Sequence, residues 1–273
     1  MTIFQSIILG IIQGASEFLP ISSSGHLVLA PFLFGWEISV EEAFVFDVLV
    51  QVATLTAVLI YYWKDLVKIL RAVIAGIIAK SPFQDPLSRL GWYLILATIP
   101  AGIIAILFKD TFVKAFSNPR AASIFLLVTS LLLVLAELLG TRSKSLEKLS
   151  WIDSIIIGIF QTLALFPGVS RSGATISGGM VRGFDRPSSA RFSFLMSIPI
   201  MLAAGVLALA DLVSAPNLLN QLPIYLAGFC SAALVGYFAI RWFISYLSKQ
   251  SLYLFAGYCA LLGTIFLVVF SFS

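Results

Sequence analysis

Charged residues are scarce in this sequence. Asp, Glu, Lys and Arg make up 11% of its 273 residues, whereas a soluble domain carries roughly 25%. So few charges cannot cover a water-facing surface. In addition, 60% of the residues are hydrophobic and the mean hydropathy is +1.03. The sequence therefore predicts one membrane domain over residues 1–273 and excludes a separate soluble domain.

Histidine and cysteine are also rare. The chain has one histidine, His26, and two cysteines, Cys230 and Cys259, which lie in apolar segments. These residues cannot supply a disulfide framework or a zinc site. The small net charge of +4 predicts no nucleic-acid partner. The N-terminus lacks a basic region and a cleavage pattern, so we expect no signal peptide.

Long apolar segments dominate the rest of the chain. A transmembrane helix needs about 20 mostly apolar residues. Six segments meet this requirement and predict full crossings, namely 43–63, 91–108, 120–140, 189–211, 222–242 and 252–271.

Two further apolar stretches are interrupted at their middle. Residues 3–35 are broken by Pro20–His26, and residues 152–181 are broken by Pro167–Gly173. Each half is too short to span a bilayer comfortably. Non-helical backbone at membrane depth is tolerated only inside protein or beside a wet cavity. Both stretches are therefore predicted to be re-entrant helix–loop–helix hairpins.

The two hairpins resemble each other at an offset of 148 residues. GIIQ at 10–13 recurs as GIFQ at 158–161, and ISSSG at 21–25 recurs as VSRSG at 169–173. We predict an all-α fold of two repeats, about 1–140 and 151–273, each with one hairpin and three crossings. Three crossings change sides, so the halves are inverted and their loops meet near the midplane.

Basic residues predict the orientation. Cytoplasmic loops of membrane proteins carry an excess of Lys and Arg. One predicted face holds three basic residues, namely Lys109, Lys114 and Arg120. The other holds thirteen and should be cytoplasmic, with both termini outside: Lys64, Lys68, Arg71, Lys80, Arg89, Arg142, Lys144, Lys148, Arg182, Arg186, Arg191, Arg241 and Lys249.

The first hairpin carries polar residues at membrane depth, where they are usually functional. Gln13 and Glu17 share a helical face and are followed by Ser22–Ser24 and His26. A hydroxyl, an imidazole and a carboxylate are the components of an activated nucleophile. Glu17 is predicted to bind a divalent cation or to orient the base. The alternative is a capping or packing role.

The second hairpin has the composition of an anion site. Its glycines permit close approach of backbone to a ligand, and its loop leads into a helix N-terminus, which attracts anions. Arg171 offers paired donors for phosphate oxygens, although an internal ion pair with Glu17 is the alternative. The predicted phosphate-binding residues here are Gly168, Ser170, Arg171, Ser172, Gly173 and Thr175.

The two motifs, QGASEFLPISSSGH at 13–26 and PGVSRSGATISGGM at 167–180, resemble those of the undecaprenyl-diphosphate phosphatase family, which is also known for bacitracin resistance. The resemblance covers essentially the whole chain. It implies removal of one phosphate from a C55 isoprenyl diphosphate, which gives the carrier lipid used in bacterial cell-wall synthesis. It also implies Mg²⁺ or Ca²⁺ dependence and an active site on the outer face of the bacterial plasma (inner) membrane. It allows a homodimer as well as a monomer.

The roles implied for this sequence form one mechanism. Ser23 attacks the terminal phosphorus, His26 takes its proton, and Glu17 orients His26 or holds the metal. The second loop holds the diphosphate together with Ser22 and Ser24. Attack by water or by His26 remains open. Gln13 stands where the family also has Glu, so a two-carboxylate metal site is ruled out and Gln13 is a supporting residue.

A lipid-phosphate transporter is the competing class, because inverted repeats with broken helices at the midplane are common in transporters. A purely structural membrane protein fits the buried charges poorly.

Overall fold

The computed structural model describes residues 1–108, 111–112, 118–213 and 218–271, and in residues 40–41, 207–213 and 218–220 only the backbone is described. Within these ranges the regular secondary structure is helical, apart from one isolated bridge between Lys144 and Phe184. The all-α prediction is therefore confirmed for the described part of the chain. Lys109 and Lys114 of the sparse basic face lie outside the described residues.

The described ranges contain eleven α-helices, which we number in chain order. They are α1 Ile3–Phe18, α2 Ser23–Phe34, α3 Val40–Tyr61, α4 Trp63–Ile78, α5 Pro86–Leu107, α6 Pro119–Leu139, α7 Trp151–Leu163, α8 Arg171–Val181, α9 Arg186–Val213, α10 Leu218–Leu247 and α11 Tyr253–Val269. A single 3₁₀ turn, Leu146–Lys148, lies between α6 and α7.

Five of the six predicted crossings are helices long and apolar enough to span a membrane. They are Glu42–Tyr61, Pro86–Leu107, Pro119–Leu139, Arg186–Val206 and Gln221–Leu247. The sixth is α11, an apolar helix of 17 residues, about 25 Å long at 1.5 Å per residue. It is shorter than the predicted segment 252–271 and packs along α6. The protein is a multi-pass membrane protein.

Both interrupted stretches fold as pairs of short helices, as predicted, but the breaks lie earlier than expected. They cover residues 19–22 and 164–170, so Ser23 and Arg171 begin helices rather than lying in loops. The reason is capping. The Ser22 hydroxyl accepts the backbone N–H of Gly25 (3.2 Å), and the Ser170 hydroxyl accepts that of Gly173 (3.1 Å). Such caps start a helix at the next residue.

Each hairpin packs on a crossing from the opposite half of the chain. Helix α1 lies along α10 and α7 lies along α5. A Cβ on Gly10 would lie 2.4 Å from the carbonyl oxygen of Gly228, and a Cβ on Gly158 would lie 2.4 Å from that of Ala97. Gly10 and Gly158 are matched in the sequence repeat, so both hairpins need glycine at the same place. Two pseudo-symmetric halves would pack on each other in this reciprocal way. The division of the chain into two repeats stays a prediction.

Helix α4 was not predicted from the sequence, which we interpreted as a connection between crossings. It buries Ile69 and Gly76 and exposes Lys64, Lys68 and Arg71. Its apolar side packs on α5, where a Cβ on Gly91 would meet Ile69 at 3.0 Å. An amphipathic helix with basic residues on one face is typical of a membrane interface. Apolar residues at helical spacing were the signal that this interpretation overlooked.

Two buried carboxylates tie the helices together at the basic-rich face. Glu137 of α6 pairs with Arg186 (2.5 Å) and Arg142 (3.0 Å), and its Oε1 accepts the backbone N–H of Leu252 (2.8 Å). Asp153 of α7 pairs with Arg182 (2.7 Å). Breaking a buried pair by removing one partner is strongly destabilising. These contacts therefore join the ends of α6 and α9, and they join the start of α7 to the end of α8, so they hold the second hairpin.

Candidate active site

The two helix breaks meet at a cavity of about 200 Å³. Its polar lining comes mainly from the two hairpins, and its apolar lining comes mainly from the second break and α9. The lining residues are Ser16, Glu17, Ser22, Ser23, Ser24, Gln51, Ala101, Gln161, Ala164, Leu165, Val169, Ser170, Arg171, Ile200, Met201 and Ala204. The sequence prediction that both motifs contribute to one site is consistent with this placement.

Glu17 and Arg171 connect the hairpins inside this cavity. Glu17 Oε1 lies 2.7 Å from Arg171 Nη2, and the two side chains are 10% and 16% exposed. The ion pair considered as an alternative from the sequence is therefore present. It does not use all of the guanidinium, because Nη1 is buried and has no partner among the described residues. Arg171 thus keeps a donor for an anion in the cavity.

The second carboxylate oxygen of Glu17 holds the candidate nucleophile. Ser23 Oγ donates to Glu17 Oε2 at 2.6 Å, and Gln13 Nε2 donates to the same atom at 3.1 Å. Gln13 is 1% exposed, so its amide donates to Glu17 from a buried position. Its supporting role is consistent with these contacts. The arrangement gives Ser23 an adjacent proton acceptor.

His26 is held by two other groups. Its Nδ1 lies 2.7 Å from the carbonyl oxygen of Ser22, and its Nε2 lies 2.6 Å from the hydroxyl oxygen of Tyr258. A carbonyl can only accept, so Nδ1 carries the proton and Nε2 accepts from Tyr258. The two rings stack with centroids 5.6 Å apart. In this geometry the imidazole is bonded to Ser22 and Tyr258, while Ser23 donates to Glu17.

The second loop is fixed by its backbone. Gly168 has φ +95°, and a Cβ there would lie 2.2 Å from the carbonyl oxygen of Ala122. Thr129 Oγ1 donates to the Gly168 carbonyl (3.0 Å) and accepts the backbone N–H of Ser170 (2.9 Å). Helix α6 thereby holds the loop in place. Only glycine fits at position 168, for both torsional and steric reasons.

The predicted phosphate-binding residues divide into two groups. Ser22, Ser24, Ser170 and Arg171 line the cavity, and Ser24 Oγ accepts the backbone N–H of Gly168 at 3.5 Å. The second group does not line the cavity and consists of Gly168, Ser172, Gly173 and Thr175. Ser172 donates to the carbonyl of Leu19 (3.0 Å), Thr175 pairs with Ser193 (2.6 Å), and Gly173 packs on Ser170 and Thr129.

The site offers a cation few protein ligands. No group of three or more His, Cys, Asp or Glu is found in the part of the chain that the structure describes. Glu17 is the carboxylate of the cavity, and both of its oxygens already accept hydrogen bonds. A single carboxylate ligand fits Mg²⁺, because that ion is commonly bound by one or two protein carboxylates, with water and substrate phosphates as its other ligands.

Three residues of the site were missed from the sequence as site residues. Tyr258 is 232 residues from His26, and no motif surrounds it. Thr129 lies within an ordinary crossing. Gln161 was detectable, because the repeat aligns it with Gln13, but it was used only as a marker of that repeat.

Similarity to known proteins identifies the family of the chain. Residues 6–265 match the model of the family described as bacitracin resistance protein BacA. The chain is 41% identical to an undecaprenyl-diphosphatase of Thermomicrobium roseum, with 100% of each chain covered. It is also 41% identical to undecaprenyl-diphosphatases of Chloroherpeton thalassium and Moorella thermoacetica, each aligned over 99% of this chain and 98% of the relative. The chain therefore belongs to the bacitracin resistance protein BacA family.

Proposed function

We propose that this protein hydrolyses undecaprenyl diphosphate to undecaprenyl phosphate and inorganic phosphate, and so recycles the carrier lipid and confers bacitracin resistance. One observation carries the proposal. A serine hydroxyl bound to a carboxylate and an arginine with an unpartnered donor line the same membrane cavity. The substrate is the one that the relatives' names give, and membrane embedding suits a lipid substrate.

The geometry supports an attack by Ser23. Its Oγ forms a bond to the terminal phosphorus, its proton passes to Glu17, and the bond from phosphorus to the bridging oxygen breaks. Undecaprenyl phosphate leaves, and water then hydrolyses the phosphoserine to release phosphate. Glu17 is assigned as the base because its Oε2 already accepts a hydrogen bond from the Ser23 hydroxyl, with the two oxygens 2.6 Å apart. This differs from the sequence-based assignment of proton transfer to His26.

The remaining residues hold charge in place. Arg171 binds phosphate oxygens through its unpartnered Nη1, with Ser22, Ser24 and Ser170 beside it. Phosphoryl transfer depends mostly on such positioning and charge stabilisation. His26 is bonded to the carbonyl of Ser22, whose φ is +71°, and so holds the strained residue before the nucleophile. His26 is therefore assigned a positioning role.

A divalent cation, Mg²⁺ or Ca²⁺, is part of the proposal. Glu17 is the protein ligand, and the phosphates and water supply the other oxygens. When bound, the ion would neutralise charge that develops on the phosphate oxygens. Gln13 would continue to donate to Glu17 and hold its carboxylate in place.

The cavity is proposed to open to the outer face of the bacterial plasma membrane, with both termini outside. The support is the excess of basic residues on the opposite face. Cysteine at Glu37 should react with an impermeant thiol reagent added outside whole cells, and cysteine at Ser145 should not. Both residues are exposed. The background needs replacement of Cys230, which is exposed, and Cys259. Outside labelling of the Ser145 variant alone would reverse the orientation.

The test of function is phosphate release from undecaprenyl diphosphate by purified protein in detergent. A hydrolase works there, because the reaction needs no second compartment. A lipid-phosphate transporter would bind the lipid without releasing phosphate, and that outcome would refute the proposal. The Ser23→Ala protein is the matched control, because it keeps the fold and lacks the nucleophile.

A further inference from the structure

Unpartnered polar atoms concentrate at the active-site cavity. In the described part of the chain, five side-chain atoms are buried without a hydrogen-bond partner. Three of them belong to cavity-lining residues, namely Nη1 of Arg171 and both amide atoms of Gln161. Buried polar groups are normally bonded. Three unpartnered atoms on two side chains that line one cavity indicate a ligand that bonds to them.

Gln161 is deeply placed for a residue whose amide is unbonded. It is 2% exposed and lies near the end of α7, one turn before the second break. Its side chain offers two N–H donors and a carbonyl acceptor. Among the described residues, no protein group around the cavity uses either end of this amide.

The counterpart in the first hairpin explains why this amide is unbonded. Gln13 matches Gln161 in the repeat, and Gln13 donates to Glu17 four residues later. The residue four positions after Gln161 is Leu165, which has no acceptor on its side chain. Gln13 therefore holds a carboxylate in place. Gln161 has no such partner, although it lines the cavity.

We propose that Gln161 binds the diphosphate directly, with its amide N–H groups donating to a phosphate oxygen beside the unpartnered Nη1 of Arg171. The inference rests on the proposed function and adds a substrate-binding residue from the second hairpin. A neutral donor complements the charge of Arg171, because it binds oxygen without needing a buried counter-ion. Gln161 thus helps the cavity to select a diphosphate headgroup.

Substitution of Gln161 should separate binding from stability. In Gln161→Leu the unpaired amide becomes an apolar side chain of similar size, a change that is nearly neutral or stabilising for a buried group without a partner. The melting temperature should stay equal or rise. The KM for lipid diphosphate should rise about tenfold or more, as expected from loss of one hydrogen bond to a charged group. Gln161→Glu should be worse, because a carboxylate repels phosphate.

Binding of inorganic diphosphate, followed as a rise in melting temperature, gives a readout without turnover. The shift should be large in the wild type, much smaller in Gln161→Leu and Gln161→Met, and unchanged in Gln250→Leu, a matched change at an exposed glutamine. An unchanged KM and an unchanged shift in Gln161→Leu would overturn the inference and assign the amide to structural water. Absence of phosphate release by the wild type would instead refute the proposed function, whatever Gln161 binds.

Discussion

Glu17 and Arg171 lie 154 residues apart in the chain, yet their side chains meet at 2.7 Å. The pair joins the ends of the two hairpins and places a carboxylate beside the proposed phosphate position. Alone, that carboxylate would repel the substrate. Arg171 neutralises it through Nη2 and keeps Nη1 for the ligand, so one guanidinium stabilises both the resting site and the bound anion.

Substitution of Arg171 tests this double role. Arg171→Lys keeps the charge but loses the planar arrangement of donors, so kcat/KM for lipid diphosphate should fall about tenfold to a hundredfold while some binding remains. Arg171→Ala should lose both binding and turnover. The measurement is lipid affinity and phosphate release for the two proteins side by side.

A third protein distinguishes phosphate binding from internal pairing. If Arg171 served only to neutralise Glu17, the double variant Arg171→Ala with Glu17→Ala would recover both folding and binding of the lipid diphosphate. We expect recovered folding without binding. Wild-type turnover in Arg171→Lys would contradict paired recognition of phosphate oxygens.

Ser23→Ala should reduce kcat by a factor of about 10²–10⁴, because the attacking oxygen is gone. Expression and lipid binding should stay near those of the wild type. Ser248→Ala, at an exposed serine outside the cavity, is the matched control and should keep wild-type turnover. Near-normal turnover in Ser23→Ala would transfer the attack to water or to His26.

Tyr258→Phe distinguishes the two bases. It removes the hydroxyl bonded to His26 Nε2 and keeps the stacked ring. With Glu17 as base, turnover should stay within about fivefold of wild type, since one neutral hydrogen bond contributes about 1 kcal/mol or less. His26→Ala should lower turnover more, because the Ser22 carbonyl loses its partner. Equal, large losses in both variants would instead indicate that the His26–Tyr258 pair carries the proton transfer.

Glu17→Gln should raise the Mg²⁺ or Ca²⁺ concentration needed for half-maximal activity, or abolish activity. A neutral amide is a poorer ligand for a hard cation and cannot take the Ser23 proton. The comparison is Gln13→Ala, which removes a donor to Glu17 but no charge and should shift the titration less. An unaltered metal titration in Glu17→Gln, with turnover reduced, would remove the cation from Glu17 and leave it as a base alone.

Gly168→Ala should destabilise the protein by about 2 kcal/mol or more, because alanine at φ +95° is strained and its Cβ would overlap the Ala122 carbonyl. Melting in detergent measures the effect. Gly102→Ala is the matched control, since no atom of the described residues lies within 4 Å of the place its methyl group would take and helix propensity favours alanine there. Equal melting temperatures for the two variants would contradict a fixed second loop.

The sequence predicted the crossings and the broken hairpins because both depend on local composition. About 20 apolar residues predict a membrane helix wherever they occur. Pro20 and Pro167 mark interruptions because serines and glycines follow them closely, and such clusters are typical of turns and loops. Local composition was less reliable at the breaks. Ser22 and Ser170 act as caps, so the helices resume at Ser23 and Arg171, within the segments expected to be loops.

Contacts between distant segments could not be predicted in the same way. No motif around Tyr258 predicts its contact with His26, because the contact depends on how α11 packs against α6 and the first hairpin. No motif around Thr129 predicts its contact with the second loop either. Glu17 and Arg171 could be paired in advance only because a lone arginine at membrane depth needs an anion.

Each hairpin packs against a helix from the other half of the chain, and this arrangement has a consequence for biogenesis. Helix α1 leaves the ribosome well before α10, against which it packs, because α10 begins only at Leu218. At 16 residues α1 is too short to span the bilayer by itself, and its glycine face fits backbone that has not yet been made. The first hairpin must therefore stay incompletely packed until about the last fifth of the chain is inserted. We therefore expect a nascent chain arrested before α10 to release no phosphate from the lipid diphosphate.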